Sequence, residues 1–486
     1  MAVTLAQLMG GQRADGAVKI AGLSVDSRSV QAGDMFVALP GQNLDGRKYI
    51  SEAVQAGAAA ILTTPGVPVA GDVAVVEDVN PRRRYADLAA RFFGAQPAVQ
   101  VAVTGTNGKT SVADFCRQLW QQIGNEAASV GTLGVRSEAV SLAGGLTTPD
   151  PMELHQTLRT LHDAGVTHTA LEASSHGLTQ YRLDGVRFNA AAFTNLTRDH
   201  LDYHKTEQGY FYAKARLFGE LVGPGDAAVI NTDSNWGAVL DDIAWARGLE
   251  RLSVGRGKGA ALRMLDHGVT PGGQQLSISY DHKIYDVNLP LVGVFQAENA
   301  LLAAGLVIAT GSDSARVFEA LENLSGVPGR MELIGMSQAG GAIFVDYAHT
   351  PDGLETVLRA ARVHNPRELH VVFGCGGDRD AGKRSQMGRV ANKLADRVIV
   401  TDDNPRSEEA GLIRREILVA ATNAKEIADR GTAIDEAISR LQAGDMLVIA
   451  GKGHEEGQIV GNEVLPFSDI TTVKTILRST VSGQRS

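Results

Sequence analysis

The run VAVTGTNGKTS, residues 101–111, joins a short apolar segment to one with helical periodicity. Its two glycines allow backbone N–H groups to converge on an anion, Lys109 supplies a positive charge, and Thr110 offers a hydroxyl to a divalent cation. The N-terminal end of the following helix adds a partial positive charge. The strict phosphate-loop pattern would have glycine where the chain has Val103. We therefore predict a shortened nucleotide-binding loop, although a glycine turn between strand and helix can also be purely structural.

The segments around this loop alternate between strand and helix patterns. Residues 99–103 read as a buried strand, and the next helix carries an apolar face. That face holds Val112, Cys116, Leu119 and Ile123. Further strands are predicted at residues 167–171, 190–194 and 227–230.

Four apolar runs near the C-terminus each end in charged or polar residues. They read AIFVDYAHT, ELHVVFGCGGDRD, DRVIVTDDNPR and DMLVIAGKGHE. In open parallel sheets, ligands bind at the carboxyl ends of the strands. One such run is explained equally well by loop solvation or a helix cap, but four in succession favour a binding crevice.

Two changes in composition divide the chain. The first is residues 80–100, which lead into the glycine loop, and the second is LSGVPGRMEL, where glycine and proline interrupt a helical pattern. A length of 486 residues is consistent with about three domains. We predict an α/β protein with domains at residues 1–88, 89–327 and 328–486.

Bulk composition excludes several classes of protein. The chain is 44% hydrophobic and carries a net charge of −9, which argues against a general nucleic-acid binder. We find neither an apolar run long enough to span a membrane nor an export signal, so we expect no membrane insertion and a cytoplasmic location. Cys116 and Cys375 are expected to be free thiols.

Two further residues are suited to a metal ion near the phosphates. Mg²⁺ prefers hard oxygen ligands, and Glu172 follows a predicted strand in THTALEASSHG. His200 follows another strand and lies between Asp199 and Asp202. A single histidine more often has a structural role than a metal-binding one. The acidic neighbours favour metal binding by His200, but both roles stay open on the sequence.

Eight separated motifs occur in one order: GTNGKT, EASSHGL, TNLTRDHLDYH, YAKARLF, DYAHTPDGL, GCGGDRD, DDNPR and GKGHE. In these motifs the chain resembles the Mur ligases of bacterial cell-wall synthesis along nearly its whole length. The resemblance implies an N-terminal α/β domain that binds a UDP-linked substrate, a central ATPase domain with a parallel sheet, and a C-terminal Rossmann-like domain that binds an amino acid. It also implies an ATP-dependent acid–amino-acid ligase working through an acyl phosphate, with ATP, UDP-N-acetylmuramoyl-L-alanyl-D-glutamate and meso-diaminopimelate as substrates.

The resemblance also implies roles for individual residues. The ATP phosphates are held by Gly105, Thr106, Asn107, Gly108, Lys109, Thr110 and Ser111, while Asn299, Arg330, Asp346 and His349 complete the nucleotide site. The implied catalytic residues are Lys109, Glu172, His200 and Lys214, and the implied Mg²⁺ ligands are Thr110, Glu172, His200 and Lys214. Lys214 is implied to be carbamylated, which would turn a cation into an anion with two oxygens. On spacing alone, Lys214 is a helical surface lysine.

Two substrate sites are implied in the same way. The UDP-muramoyl dipeptide would contact Val25, Ser27, Gln42, Asn43, Leu44, Thr147, Thr148, Ser174, Gln180 and Arg182. Diaminopimelate would contact Arg379, Asp403, Asn404, Pro405, Arg406, Gly451 and Glu455. Diaminopimelate differs from lysine by one carboxylate at its far end, which the Arg406 guanidinium can bind through two parallel hydrogen bonds.

Other functions remain open on the sequence. Within the ligases they are lysine addition and folate polyglutamylation, against which the UDP-binding domain and the DNPR motif argue. A nucleotide switch and a small-metabolite kinase would both need the phosphate loop but not the C-terminal motifs. We expect the protein to act as a monomer.

Overall fold

Three separate β-sheets organise the chain in this computed structural model, which describes residues 2–11, 15–41, 44–270 and 273–481. The three sheets follow one another along the sequence, and each is flanked by helices. Among the helices of the described segments, none combines the length and the apolar character needed to cross a membrane.

The N-terminal sheet has four parallel strands in the order β3-β4-β5-β6, and β1 and β2 form a separate antiparallel pair. The strands are β1 Val3–Thr4, β2 Lys19–Ile20, β3 Leu23–Ser24, β4 Met35–Val37, β5 Ala60–Thr63 and β6 Ala74–Glu77. The helices are α1 Leu5–Met9, α2 Ile50–Gln55 and α3 Pro81–Phe93, with 3₁₀ turns at Ser27–Ser29 and Gly46–Tyr49. Helix α3 starts at a proline and is capped by Asn80, whose side chain accepts a hydrogen bond from the Arg83 N–H.

The central sheet has eleven strands in the order β10-β9-β8-β11-β7-β12-β13-β14-β15-β16-β17. These are β7 Val99–Thr104, β8 Ala127–Gly131, β9 Gly134–Arg136, β10 Ser141–Leu142, β11 His168–Glu172, β12 Phe188–Phe193, β13 Val222–Asn231, β14 Glu250–Gly255, β15 Leu262–Thr270, β16 Gly273–Tyr280 and β17 Lys283–Leu289. The helices are α4 Lys109–Gln122, α5 Pro151–Asp163, α6 Ser175–Thr179, α7 Leu201–His204, α8 Glu207–Arg216, α9 Gly237–Arg247, α10 Val294–Ala309 and α11 Ser314–Leu321, with a π-helical turn at Leu217–Leu221. The seven neighbouring strands β8, β11, β7, β12, β13, β14 and β15 are parallel. Antiparallel pairs extend both ends of the sheet, with β9 and β10 beyond β8 and with β16 and β17 beyond β15.

The strands predicted in the central part are present, with small shifts at their ends. The strand predicted at residues 167–171 begins and ends one residue later, at His168 and Glu172. The strand predicted at residues 227–230 is the end of the longer β13. The apolar face of α4 is buried with α10 in one core, and both cysteines are buried and free, as predicted.

The C-terminal sheet has six strands in the order β18-β19-β23-β20-β21-β22, all parallel except β18. The strands of this part are β18 Glu332–Met336, β19 Ala342–Asp346, β20 Leu369–Phe373, β21 Arg397–Val400, β22 Lys425–Glu426 and β23 Met446–Ala450, followed by the hairpin β24 Gly457–Val460 and β25 Glu463–Pro466. The helices are α12 Pro351–Val363, α13 Gly382–Leu394, α14 Ala410–Leu418, α15 Arg430–Arg440 and α16 Asp469–Val481. The four predicted polar-ended runs are the adjacent strands β19, β23, β20 and β21, so their carboxyl ends lie along one edge.

The predicted division at residue 88 falls inside α3, which contacts both α1 and α5. The second division, at residue 327, lies between α11 and β18 in a segment without helix or strand. The sheets themselves change at the two places where the composition changes, but the residue numbers of the boundaries stay predictions.

Candidate active site

The predicted phosphate loop connects β7 to α4, and its two glycines adopt backbone conformations that favour glycine. Gly105 has a φ of +148° and Gly108 a φ of +89°. A Cβ atom on Gly105 would collide with the Thr194 hydroxyl, and one on Gly108 would collide with the side-chain oxygen of Asn299. Both positions therefore require glycine for backbone conformation and for space.

Lys109 folds back over the loop that precedes it. Its Nζ donates to the carbonyl oxygens of Gly105 at 2.9 Å and Thr106 at 2.8 Å. Removal from water lowers the pKa of this ammonium, and the carboxylate of Glu172 opposes that effect. The side chain is thus held beside the backbone N–H groups that would receive a phosphate.

Glu172 is the last residue of β11, where parallel pairing with β7 brings it beside the loop. Its carboxylate accepts hydrogen bonds from the Thr110 hydroxyl at 2.9 Å and the Thr132 N–H at 2.8 Å. The side chain is buried, and within the described residues it forms no ion pair with Lys, Arg or His. Arg330 Nη2 donates to the same Thr110 hydroxyl at 3.2 Å. A buried carboxylate beside a hydroxyl is the type of oxygen set that suits Mg²⁺.

Lys214 in α8 is buried, so the surface position suggested by its spacing is wrong. Only 1% of the residue is exposed, and its Nζ donates to the Gly105 carbonyl at 2.7 Å. The ammonium also lies 4.3 Å from the centre of the Tyr210 ring. Burial, reinforced by the charge of Lys109, holds the pKa of Lys214 well below its ordinary value. The structure thus brings this lysine to the phosphate loop.

His200 follows β12 and precedes α7 in a left-handed conformation, with a φ of +52°. Its Nε2 lies 3.4 Å from a carboxylate oxygen of Asp199, and its ring centre is 4.8 Å from that of His176. Removal from water lowers the pKa of His200 to about 4, against the opposing charge of Asp199. A neutral imidazole retains the lone pair that a metal ligand needs.

A cavity of about 570 Å³ lies between the central and C-terminal sheets. Its walls include eight of the predicted site residues: His200, His349, Arg379, Asp403, Asn404, Arg406, Gly451 and Glu455. The structure therefore brings a predicted metal ligand and most of the predicted amino-acid contacts to one space. Sequence reasoning did not single out other lining residues, among them His176, Arg198, Asp352, Glu355, Asp380 and Lys383. Four of these six residues lie within quoted motifs, and this was the available signal: His176 in EASSHGL, Arg198 in TNLTRDHLDYH, Asp352 in DYAHTPDGL and Asp380 in GCGGDRD.

Arg406 adopts a left-handed conformation, with a φ of +52°, just beyond β21. Its N–H donates to the Ile459 carbonyl at 3.0 Å, and its Nη1 donates to the Gly377 carbonyl at 2.9 Å. In the described part of the chain, no carboxylate lies within ion-pair distance of this guanidinium. Arg379 lines the same cavity but is exposed, with one long contact of 3.4 Å to the Asp378 carbonyl.

Glu455 is held by a second residue of its own motif that sequence reasoning missed. The Lys452 ammonium is completely buried and donates to Glu455 Oε2 at 2.9 Å and to Asn404 Oδ1 at 3.0 Å. Asn404 Nδ2 donates to the same Glu455 oxygen at 2.9 Å. The amide of Asn404 is oriented because a lysine can only donate to its oxygen. Lys452 thus links two loops at the edge of the C-terminal sheet.

The predicted nucleotide contacts beyond the phosphate loop come from α10 and from the start of the C-terminal part. Asn299 is buried beside Gly108, and the guanidinium of Arg330 lies 4.4 Å from the Tyr347 ring centre. Asp346 accepts hydrogen bonds from two backbone N–H groups, each at 2.7 Å, and burial raises its pKa to about 6. One of those groups belongs to Met331, so Asp346 fixes the segment that carries Arg330. Its direct contact with a nucleotide stays a prediction.

The predicted contacts for the UDP-linked substrate fall into two groups. Arg182 donates to the Thr148 carbonyl and to Gln180 Oε1, both at 2.7 Å, and with Gln180 it lines a cavity of about 100 Å³. The Thr148 hydroxyl accepts from the Ser174 N–H at 3.0 Å, and the Thr147 hydroxyl lies 3.1 Å from that of Thr132. The second group comprises Val25, Ser27 and Leu44, which line neither of these two cavities, and Gln42 and Asn43, which lie outside the described residues.

Another group of potential metal ligands lies away from the predicted site. Glu368, His370 and Asp445 approach one another at the amino ends of β20 and β23. Arg367 pairs with Asp445 at 2.8 Å and Arg397 with Glu368 at 3.3 Å. Because both carboxylates are already neutralised, the ion pairs explain this cluster.

Three family models match the chain in sequence. They are described as the Mur ligase family catalytic domain at residues 19–93, the Mur ligase middle domain at residues 103–307, and the Mur ligase glutamate ligase domain at residues 329–453. Together they span most of the chain and all three sheets.

Curated relatives are similar over nearly their whole length. The UDP-N-acetylmuramoyl-L-alanyl-D-glutamate–2,6-diaminopimelate ligase of Bradyrhizobium diazoefficiens is 54% identical over 469 residues, which is 96% of each chain. The enzyme of the same name from Caulobacter vibrioides is 52% identical over 460 residues, covering 93% of this chain and 94% of the relative.

Solved structures share the fold. A structure of UDP-N-acetylmuramoyl-L-alanyl-D-glutamate–2,6-diaminopimelate ligase superimposes with a TM-score of 0.73 at 32% identity, covering 99% of this chain and all of the other. Folylpolyglutamate synthase of Mycobacterium tuberculosis gives a TM-score of 0.64 at 20% identity, covering 83% of this chain and 95% of the other, which is a likeness of fold alone. The three family models, together with relatives that are 52–54% identical over nearly the whole chain, show that this chain belongs to the Mur ligase family.

Proposed function

We propose that this protein is an ATP-dependent ligase that joins meso-diaminopimelate to the D-glutamate carboxylate of UDP-N-acetylmuramoyl-L-alanyl-D-glutamate in peptidoglycan synthesis. The observation that carries the proposal is the cavity of about 570 Å³, whose lining includes His200, Arg406 and Glu455. The curated relatives named above support the same two substrates.

The reaction divides into two steps. A substrate carboxylate oxygen attacks the γ-phosphorus of ATP, the bond to ADP breaks, and an acyl phosphate forms. The amine nitrogen then attacks the acyl carbon, the carbon–oxygen bond to phosphate breaks, and the nitrogen loses a proton. Lys109 and the loop N–H groups position the phosphates, because phosphoryl transfer depends mainly on placement and charge stabilisation.

We further propose that Mg²⁺ is held by Thr110, Glu172, His200 and the carbamate of Lys214. The buried carboxylate of Glu172, which forms no ion pair within the described segments, and the Thr110 hydroxyl 2.9 Å from it fit a hard cation. When bound, the ion would supply positive charge opposite the phosphate oxygens. Thr110 and Arg330, whose side chains are 3.2 Å apart, orient the same region from two parts of the chain.

Carbamylation of Lys214 is supported by the burial of its amine. A neutral amine can attack CO₂, forming a nitrogen–carbon bond and losing a proton to leave a carbamate anion. Lys214 is fully enclosed, next to Lys109 and without a carboxylate partner in the described residues, so the neutral form is favoured. The resulting anion would balance Lys109.

A Lys214→Arg variant tests this modification. We expect a roughly 10–100-fold loss of ligase activity, because a residue that orients metal-bound groups is removed while the positive charge stays. Wild-type activity should fall in buffer depleted of CO₂ and return with bicarbonate, whereas the exposed control Lys258→Arg should behave as wild type. Full activity of Lys214→Arg, or no effect of bicarbonate on the wild type, would argue against a carbamate.

Selectivity for diaminopimelate over lysine is assigned to Arg406. Lysine has no second carboxylate, so binding it would leave this guanidinium without a partner in a partly closed space. We propose that Asn404 and Glu455 contact the distant ammonium group of diaminopimelate, and the hydrogen bonds of Lys452 to both side chains support this role. Arg379, Asp403, Pro405 and Gly451 complete the proposed contact set.

Phosphate release distinguishes this ligase from a nucleotide switch. The protein is incubated with Mg²⁺, ATP and the UDP-linked dipeptide, with and without diaminopimelate. We expect sustained release only when both acceptor substrates are present. Steady release with ATP alone would contradict the ligase and favour a switch.

We also propose a monomer in the cytoplasm, where ATP and the nucleotide-linked precursor are found, with the three domains divided near residues 88 and 327. Light scattering at working concentration tests the monomer. A dimer mass would contradict that part of the proposal without affecting the chemistry.

A further inference from the structure

Three consecutive arginines follow Pro81 at the start of helix α3, and two of them have acidic partners. Arg83 lies 3.1 Å from Asp184, and Arg84 lies 2.7 Å from Asp78. Arg82 forms no ion pair with any residue that the structure describes, and its Nη2 donates to the Pro40 carbonyl at 2.9 Å. Arg82 is only partly exposed, so its guanidinium is partly withdrawn from water without a carboxylate partner among the described residues.

Arg82 and Arg182 line one cavity of about 100 Å³ between the N-terminal and central sheets. Gln180 lines it as well, and Leu146, the residue before Thr147, closes one side. The cavity therefore lies beside residues that the resemblance assigns to the UDP-linked substrate. The Arg82 contact with Pro40 lies close in sequence to Leu44, another residue that the resemblance assigns to this substrate.

The charges around this cavity do not balance. Removal from water lowers the pKa of Arg182, and the charge of Arg82 adds to that effect. Asp150 is the single carboxylate among the described residues that line the cavity, and its Oδ1 already accepts hydrogen bonds from the Tyr85 hydroxyl at 2.6 Å and the Met152 N–H at 3.1 Å. Two guanidinium groups thus face one carboxylate.

Two cations at one small cavity repel each other unless an anion joins them. Guanidinium groups bind phosphate and carboxylate through parallel hydrogen bonds. Arg182 has already committed donors to Thr148 and Gln180, while Arg82 has a single hydrogen bond to a carbonyl. Arg82 is therefore the guanidinium with the larger remaining capacity.

We propose that Arg82 binds an anionic group of the UDP-linked substrate, either a phosphate or a carboxylate, and is a further substrate-binding residue of this enzyme. The inference rests on the proposed function for the identity of the substrate. It does not rest on ligase turnover, because binding of the nucleotide portion can be measured without the other substrates.

The kinetic test compares Arg82→Gln with the neighbouring Arg83→Gln, which removes the same charge from the same helix. We expect Arg82→Gln to raise the KM for the UDP-linked dipeptide by roughly 10–100-fold, as for loss of a hydrogen bond to a charged group. Its kcat and its KM for ATP and diaminopimelate should stay near wild type. Arg83→Gln should leave all three KM values unchanged. Equal KM values for wild type and Arg82→Gln would overturn the proposal.

Calorimetric titrations identify the anion. UDP carries only the phosphates, and the full UDP-linked dipeptide adds the two carboxylates of D-glutamate. Weaker UDP binding by Arg82→Gln assigns a phosphate, while a loss seen only with the full dipeptide substrate assigns a carboxylate. Unchanged affinity for both ligands would overturn the proposal.

A second variant separates binding from folding. Arg82→Lys keeps the charge but loses the planar fork, so its affinity should fall between those of wild type and Arg82→Gln. If Arg82→Gln does not fold, the proposal is tested by Arg82→Lys alone. A folded Arg82→Lys variant that binds the UDP-linked ligands with wild-type affinity would overturn the proposal. If the wild-type protein binds UDP yet forms no amide, the proposed function fails while these titrations still test Arg82.

Discussion

Arg406 occupies a conformation that few residues other than glycine adopt, and its neighbours hold it there. The Arg406 N–H donates a hydrogen bond to the Ile459 carbonyl, and the Arg406 carbonyl accepts one from the Gly461 N–H. Its guanidinium donates to the Gly377 carbonyl. Left-handed backbone in a non-glycine residue carries a cost that surrounding contacts must offset. The hairpin β24–β25 therefore supports the side chain proposed to recognise diaminopimelate.

Substituting Arg406 should affect one substrate only. We expect Arg406→Gln to raise the KM for diaminopimelate by roughly 30-fold to 1000-fold, because losing one partner of an enclosed charge pair costs about 2–5 kcal/mol. The KM for ATP should change little, and the preference over lysine should shrink. Steady-state kinetics with each amino acid measure both effects.

Arg415→Gln is the matched control, since this exposed arginine has only a distant acidic neighbour at 3.7 Å. It should leave selectivity unchanged. A similar loss of ATP and diaminopimelate affinity in Arg406→Gln would contradict the assignment.

Lys214 shows where sequence pattern fails at the level of a single residue. The buried residues of α8 include Tyr210, Phe211 and Ala215, and Lys214 lies among them. Apolar periodicity cannot place a lysine inside, because it treats every charge as a surface residue. Only the resemblance assigned Lys214 to the site. The lysine is buried because α8 packs against the phosphate loop, where the Lys214 ammonium donates to the Gly105 carbonyl.

At the scale of elements, the strand–loop–helix unit was the most predictable part. The β7 strand, the glycine loop and α4 follow from an apolar run, two glycines and an apolar helical face. The antiparallel hairpins at the ends of the central sheet were not predicted, because their strands carry mixed polar patterns. Lys452 and Arg82 were also missed, since each owes its role to neighbours far away in sequence.

The phosphate loop offers a test with an internal control. Gly108→Ala should weaken ATP binding strongly for two reasons. The positive φ at this position is unfavourable for alanine, and the added Cβ would clash with the side chain of Asn299. Gly124→Ala has a comparable φ of +96° but open space around its Cβ, so it bears the backbone cost of about 1–2 kcal/mol alone. ATP titrations of both variants measure the difference. Equal ATP affinity in the two variants would contradict the requirement for glycine at position 108.

Helix α5 carries a buried histidine that couples stability to pH. His155 is 2% exposed, its Nε2 lies 3.2 Å from the Asp184 carbonyl, and burial lowers its pKa to about 4. Between pH 4 and the ordinary pKa of 6.5, the unfolded chain binds the extra proton, so stability rises with pH across this range. The contribution is fully present above 6.5 and is lost as the pH falls towards 4.

Thermal unfolding against pH tests this coupling. Between pH 4 and 6.5, His155→Gln should remove up to roughly 3 kcal/mol of the change in the free energy of unfolding with pH. The exposed His162→Gln in the same helix is the control and should keep the wild-type profile. If both variants retain the wild-type slope, His155 does not carry the effect.

At the scale of the molecule, the site is assembled from parts that are distant in sequence. Asn107 in the phosphate loop donates to Asp352 in α12 at 3.0 Å, and Arg330 reaches Thr110 at 3.2 Å. Both contacts connect the central part to the C-terminal part. The order of the motifs along the chain indicates the family, whereas the cavity that brings these motifs together depends on how the sheets pack. Completing the site by closing domains would also exclude water from an acyl phosphate.

The most direct test of the account is the mass of the product formed from ATP, the UDP-linked dipeptide and an equimolar mixture of meso-diaminopimelate and lysine. We predict that the diaminopimelate-containing tripeptide dominates and that its amount equals the phosphate released. A product containing mainly lysine would contradict the role of Arg406, and phosphate released without any tripeptide would contradict the ligase itself.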